Sequence, residues 1–167
     1  MSRVEIIPNV LTACNLLLGV VALIMAINGN YTVGGILILC AALLDRFDGM
    51  VARRYNAETD FGKEFDSLAD IVSFGIAPGA LMYCTVSGSY GLLGLICCCA
   101  FTLCGGLRLA RYNTTPAQSY YHGVPITACG AILTLLVLLA PTHAIAIMTV
   151  SLLLSLAMIS TVRIPRI

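Results

Sequence analysis

Residues 9 to 28, NVLTACNLLLGVVALIMAIN, run for 20 residues without a charged side chain. At about 1.5 Å per residue, a helix of that length spans about 30 Å, the thickness of a bilayer's hydrocarbon core. In lipid, every backbone polar group must be satisfied within the protein, and a single apolar run achieves this only as a helix. Runs of the same kind return along the whole chain, so the sequence as a whole reads as membrane helices. Of its 167 residues, 59% are hydrophobic and 10% charged, and the mean hydropathy is +0.97. A soluble domain carries about 25% charged residues. The net charge of +1 gives no basis for a nucleic-acid partner. The length suits one domain over 1–167. No cleavable leader is expected, because Met1 to Pro8 is short and mixed.

Turn signals divide the apolar sequence. The first span is expected over 9–28, with Pro8 in its first turn. NGN at 28–30 ends it. The second span runs from Tyr31 to Arg53, apolar as far as Leu44. A polar link over 55–62 ends at Gly62. The third span is expected over 63–86, with a kink at Pro78, and SGSYG at 87–91 makes the next turn. The fourth covers 91–112. A polar loop, NTTPAQSYYHG, leads to a fifth over 124–140. Pro141-Thr142 separates it from a sixth over 144–162, followed by the tail RIPRI. The expected fold is all-α: a polytopic membrane protein with six transmembrane helices.

This count places every charge on one side. Arg3, Arg46, Arg53, Arg54, Lys63, Arg108, Arg111, Arg163 and Arg166 all fall there, as do Glu5, Asp45, Asp48, Glu58, Asp60, Glu64, Asp66 and Asp70. The opposite turns, near 28–31, 86–91 and 140–143, carry no formal charge. The positive-inside rule makes the charged side cytoplasmic. Both termini are then cytoplasmic, in a multi-pass protein of the cell (plasma) membrane. The eight cysteines lie within apolar segments, make no CxxC pair, and read as small hydrophobes.

Four of the acids are in an expensive place. Asp45 and Asp48 are three apart; Asp66 and Asp70 are four apart. Either spacing puts both carboxylates on one helix face. Apolar runs lead into the first pair and out of the second. Ionisable groups within membrane helices are functional by default. Four converging carboxylates repel unless cations lie between them, and hard oxygen ligands suit a divalent metal.

The stretch reads Asp45-x2-Asp48-Gly49-x2-Ala52-Arg53-x8-Gly62-x3-Asp66-x3-Asp70. At each of these positions it resembles the CDP-alcohol phosphotransferase family. The resemblance implies metal ligation by Asp45, Asp48 and Asp66, with Asp70 both a shared ligand and the general base. It implies two divalent cations, Mg2+ or Mn2+, with Ca2+ left open. Gly49 and Ala52 would let a nucleotide approach the helix backbone, or would serve close helix packing. Arg53 would pair with the pyrophosphate, and Thr59 and Gly62 would lie near the nucleotide. The family is usually homodimeric, which makes a homodimer in the lipid bilayer the expectation.

Further stretches narrow the acceptor. SLADIVSFGIAPG at 67–79, GGLRLARYN at 105–113, HGVP at 122–125, IPNVLTACNLLLG and VRIPRI resemble the small membrane-embedded phosphatidylserine synthases. A second proline usual after Gly-x-Pro is absent; this chain has Pro125-Ile126-Thr127. The implied reaction moves a phosphatidyl group from CDP-diacylglycerol, or its archaeal ether-lipid analogue, to L-serine with release of CMP. Serine needs a cation for its carboxylate. Arg108 and Arg111, three apart on one helix face, are candidates, with Asn113 supplying an amide; the alternative is a membrane-surface anchor. His143 falls on the far side, away from the chemistry. Glycerol 3-phosphate or inositol phosphate as acceptor is the alternative within the family. A divalent-cation transporter is the alternative outside it, and would need polar residues continuing beyond the aspartates.

Overall fold

A computed structural model describes residues 3–54, 59–114, 120–160 and 163–165. Helix α1 covers Arg3–Ile27 and α2 covers Tyr31–Arg54. Because α1 begins at Arg3, Pro8 lies inside the helix rather than in its first turn. Pro8 has no N–H for the carbonyl four residues back. Its own carbonyl accepts from the Thr12 hydroxyl at 3.1 Å. Gly29 ends α1 with φ +80, a left-handed geometry that glycine adopts without a Cβ penalty. The two helices then pack closely: a Cβ on Gly34 would lie 3.0 Å from the Ala22 carbonyl oxygen. Small residues at such seams let membrane helices approach.

Helix α3, Asp60–Asp70, opens at Thr59, whose hydroxyl accepts from the Gly62 N–H at 3.0 Å. The polar link therefore stops before Gly62, which is already helical; its residues 55–58 lie outside the described residues. A π-helical segment, Ile71–Ile76, follows directly, and α4 runs over Ala77–Thr114. The disturbance expected at Pro78 takes the form of this wider turn just before it. Proline offers no N–H to the carbonyl four residues back, so carbonyls in the preceding turn need other donors. One residue on from the carbonyl of Phe74, the Gly75 carbonyl accepts from the Thr102 hydroxyl at 3.4 Å. The turn expected at 87–91 is a kink in α4 at Tyr90, where φ is −140 and ψ 43.

Helices α5, Ile126–Leu139, and α6, Ala144–Ile159, are shorter than the expected 124–140 and 144–162. Pro125 is extended (φ −56, ψ 140), and so is Ser160 (φ −56, ψ 152), which removes residues from each helix. Among the described residues, three stretches are long and apolar enough to cross a membrane: Pro8–Ile27, Asp60–Val86 and Gly88–Thr114. The polar loop and the tail contribute two short strands. Strand β1, Tyr120–His122, pairs antiparallel with β2, Arg163–Pro165, with Tyr121 opposite Ile164.

Phe74, Leu81, Phe101, Ile126, Leu133, Ile147 and Met158 fill the core. Large apolar side chains also face outward, among them Leu92 at 73% and Leu139 at 82% exposure, as lipid-facing positions would. All eight cysteines are free, as small hydrophobes would be. Side-chain contacts gather six element ends together. Asn113 of α4 reaches Glu64 and Ser67 of α3, and Arg111 reaches the end of α6 at Ile159. Thr127 of α5 reaches Asp45 of α2, and Gly62 lies against Asn9 of α1.

Candidate metal centre and active site

Asp45 continues the buried face of α2. Ile38 and Ala41 are fully buried, and one turn further that face presents a half-buried carboxylate. On α3 the pair Asp66 and Asp70 projects from one face, with Asp70 8% exposed. One carboxylate oxygen each from Asp45, Asp66 and Asp70 lie within 4.8 Å of one another. Asp48 stands in α2 three residues beyond Asp45; its side chain lies outside those described.

At this separation like charges repel strongly in a poorly solvated site. Asp66 Oδ1 and Asp70 Oδ1 are buried without a hydrogen-bond partner. Asp45 Oδ2 accepts from the Thr127 hydroxyl at 3.2 Å. An all-oxygen donor set with unpartnered buried oxygens fits a hard divalent cation. The π-helical turn begins at the residue after Asp70, and such turns occur frequently at functional sites.

The basic residues divide. Arg108 is buried and within electrostatic reach of Asp70. Its guanidinium lies over the Tyr112 ring at 5.8 Å, and Lys63 Nζ lies over the same ring at 5.5 Å. Arg111 Nη1 donates instead to the Ile159 carbonyl at 3.1 Å. Asn113 Nδ2 donates to Ser67 Oγ at 3.0 Å and to Glu64 Oε2 at 3.2 Å. Of the three residues considered for serine, Arg108 lies within electrostatic reach of Asp70, while Arg111 and Asn113 make hydrogen bonds between helices.

The nucleotide candidates also divide. Thr59 and Gly62 form the N-terminal cap of α3; a Cβ on Gly62 would lie 3.1 Å from Thr59 Oγ1 and 3.3 Å from Asn9 Oδ1. A Cβ on Gly49 would meet nothing within 4 Å among the described residues, so their packing does not require glycine there. Ala52 and Arg53 lie in the last turn of α2, with side chains outside those described. Two features were not foreseen. Thr127 touches the cluster, and the signal for it was a hydroxyl residue opening a helix after Gly-x-Pro. Asn15 is fully buried on α1 with neither amide atom hydrogen-bonded.

A helical scaffold with three apolar stretches of membrane-crossing length, and three convergent carboxylates that could hold a metal ion, defines a class of membrane protein. The chain belongs to the CDP-alcohol phosphatidyltransferase family, which matches residues 5–161. Over 135 residues it is 38% identical to a CDP-diacylglycerol–serine O-phosphatidyltransferase of Helicobacter pylori, covering 79% of this chain and 57% of that protein. The enzyme of the same name from Bacillus subtilis is 35% identical over 131 residues, 78% of this chain and 74% of that protein. An archaetidylserine synthase of Methanothermobacter thermautotrophicus is 31% identical over 165 residues, 96% of this chain and 70% of that protein. The chain thus spans little more than half the length of the Helicobacter relative.

Proposed function

We propose that this chain transfers the phosphatidyl group of CDP-diacylglycerol, or of an ether-lipid analogue, to L-serine and releases CMP. The convergence of Asp45, Asp66 and Asp70 carries the reading. The names of the relatives support serine as acceptor, and the archaeal relative keeps the ether-lipid donor in view.

In this reading the serine hydroxyl oxygen forms a bond to the phosphatidyl phosphorus. The bond from that phosphorus to the CMP oxygen breaks, and CMP leaves with the electron pair. Asp70 takes the hydroxyl proton. Asp45, Asp48, Asp66 and Asp70 would hold two divalent cations, Mg2+ or Mn2+, which when bound would supply charge neutralisation at the pyrophosphate oxygens. Arg53 pairs with a phosphate, and Gly49 and Ala52 keep the α2 surface low enough for the nucleotide. Thr59 and Gly62 shape the neighbouring end of α3. Arg108 binds the serine carboxylate, and Arg111 and Asn113 hold the helix ends around it. The scaffold crosses the membrane six times, with the carboxylates and both chain ends cytoplasmic, and works as a homodimer. Glycerol 3-phosphate and inositol phosphate fit less well, since a phosphorylated acceptor wants a larger basic cluster than Arg108 and Lys63 around Tyr112. A transporter fits less well too: beyond the aspartates the buried polar side chains, Ser73, Thr134 and Ser151 among them, are neutral, and Leu81, Phe101 and Leu133 are fully buried.

The test uses purified protein, CDP-diacylglycerol and labelled L-serine, with glycerol 3-phosphate and inositol phosphate as competitors. Labelled phosphatidylserine, formed with Mg2+ or Mn2+ and abolished by chelator, is the expected product. Transfer to either phosphorylated acceptor in preference to serine overturns the acceptor. Full turnover in chelator overturns the metal reading.

A further inference from the structure

Hydroxyl side chains in these helices mostly bond their own backbone. Those of Thr12, Thr85, Thr134 and Ser155 each donate to the carbonyl four residues back, as serine and threonine commonly do in helices. Thr127 stands in the first turn of α5, where the residues three and four back, Val124 and Gly123, belong to a turn. Its hydroxyl donates across 82 residues of sequence to Asp45 Oδ2.

The turn that delivers it is tightly fixed. Gly123 has φ +78, and a Cβ there would collide with the Met158 carbonyl oxygen. The Val124 N–H donates to the Ala157 carbonyl at 3.3 Å. Ile126 is fully buried and presses on Gly105 of α4. Thr127 is therefore held by α6 on one side and α4 on the other while it reaches α2.

We propose that Thr127 is a positioning residue that holds the Asp45 carboxylate in the orientation needed to bind a divalent cation together with Asp66 and Asp70. The inference rests on the metal reading of the cluster given above. A carboxylate turns readily about its last torsion, which has broad minima. Beside Asp66 and Asp70, repulsion would turn the Asp45 group away from them. A hydroxyl donor on Oδ2 holds the carboxylate plane while Asp45 keeps a carboxylate oxygen within 4.8 Å of those of Asp66 and Asp70. A second proline in this turn could start a helix equally well but would bring no donor. The segment Pro125-Ile126-Thr127 keeps the helix start and adds the hydroxyl.

The experiment compares full-length wild type with Thr127→Val, Thr127→Ala and Thr127→Ser, all purified in detergent. Mn2+ binding is measured directly by electron paramagnetic resonance, beside the Mn2+ dependence of turnover and the melting temperature without metal. Removing a partner that orients a ligand typically weakens metal affinity by about 10–100-fold. Thr127→Val and Thr127→Ala are expected to weaken Mn2+ binding by about that factor, and Thr127→Ser to restore it. Should Thr127→Val fail to fold, the alanine–serine comparison reads the same hydroxyl. Valine or alanine variants that bind Mn2+ as wild type does overturn the proposal. So does a serine variant as weak as alanine. Wild type that binds Mn2+ tightly but transfers no phosphatidyl group to serine sinks the proposed reaction and leaves the Thr127 inference standing.

Discussion

The two ends of the helical assembly are held together by different chemistry. At the carboxylate end, side chains reach between elements far apart in sequence: Thr127 to Asp45, Asn113 to Glu64 and Ser67, Arg111 to Ile159. Two short strands add a backbone ladder close to that end. At the opposite end, tight turns and small residues do most of the joining. A Cβ on Gly35 would lie 2.7 Å from Leu138 Cδ2, one on Gly94 2.8 Å from Val86 Cγ2, and the Tyr31 hydroxyl donates to the Cys84 carbonyl at 3.2 Å. Polar contacts fix direction as well as distance, whereas apolar packing fixes volume. The end that must hold carboxylates against their own repulsion uses the directional kind.

If this division is right, the ends should respond differently to substitution. The largest effect is expected at Asp70. Asp70→Asn keeps the size and one oxygen but cannot take a proton. Turnover should fall by about 10²–10⁴-fold while CDP-lipid binding persists, as measured by single-turnover rates beside equilibrium binding. A variant that turns over as wild type does removes Asp70 from the base role. A variant that cannot bind makes it a ligand first.

Next comes Gly123, which holds the carboxylate end's framework without touching the carboxylates. Gly123→Ala forces a side chain into a left-handed backbone and against the Met158 carbonyl. Strain of this kind costs about 1–3 kcal/mol before the collision is counted. A clear fall in melting temperature is expected, with Mn2+ affinity falling as well, because the same turn carries Thr127. Unchanged affinity in folded protein would mean that the two are uncoupled.

Arg108 sharpens the comparison within the polar end. Arg108→Lys should raise the serine KM by about tenfold, corresponding to about 1.4 kcal/mol, with a smaller change in the CDP-lipid KM. Equal changes in both would assign Arg108 to the scaffold or to the phosphates. The smallest effect is expected at the far end. Tyr31→Phe removes one part-buried hydrogen bond, worth about 0.5–1.5 kcal/mol. Melting should shift slightly, and both KM values should hold. A change in kcat there would show that the two ends are coupled.

Much of the architecture was legible because lipid leaves few choices. Apolar runs must form helices, and turns such as NGN and Pro141-Thr142 can only separate them. Boundaries were less legible where a single side chain decided them. The Thr59 cap starts α3 before Gly62, and Gly123 and Pro125 shorten α5 from its beginning. The strand pair could not be read at all, since neither three-residue segment shows a pattern without its partner.

The sequence by itself determined the carboxylates and their spacing, because three- and four-residue intervals on a helix are a local geometric fact. It equally determined that these groups are too costly in apolar segments to lack a purpose. Only the tertiary structure decided which groups meet. It brought Asp45 to Asp66 and Asp70, gave Arg108 to the cluster and Arg111 to Ile159, and placed the Thr127 hydroxyl on Asp45. Those pairings depend on how helices cross and on which turn of each faces its neighbour. Such contacts join residues tens of positions apart, and no local pattern in the chain encodes them.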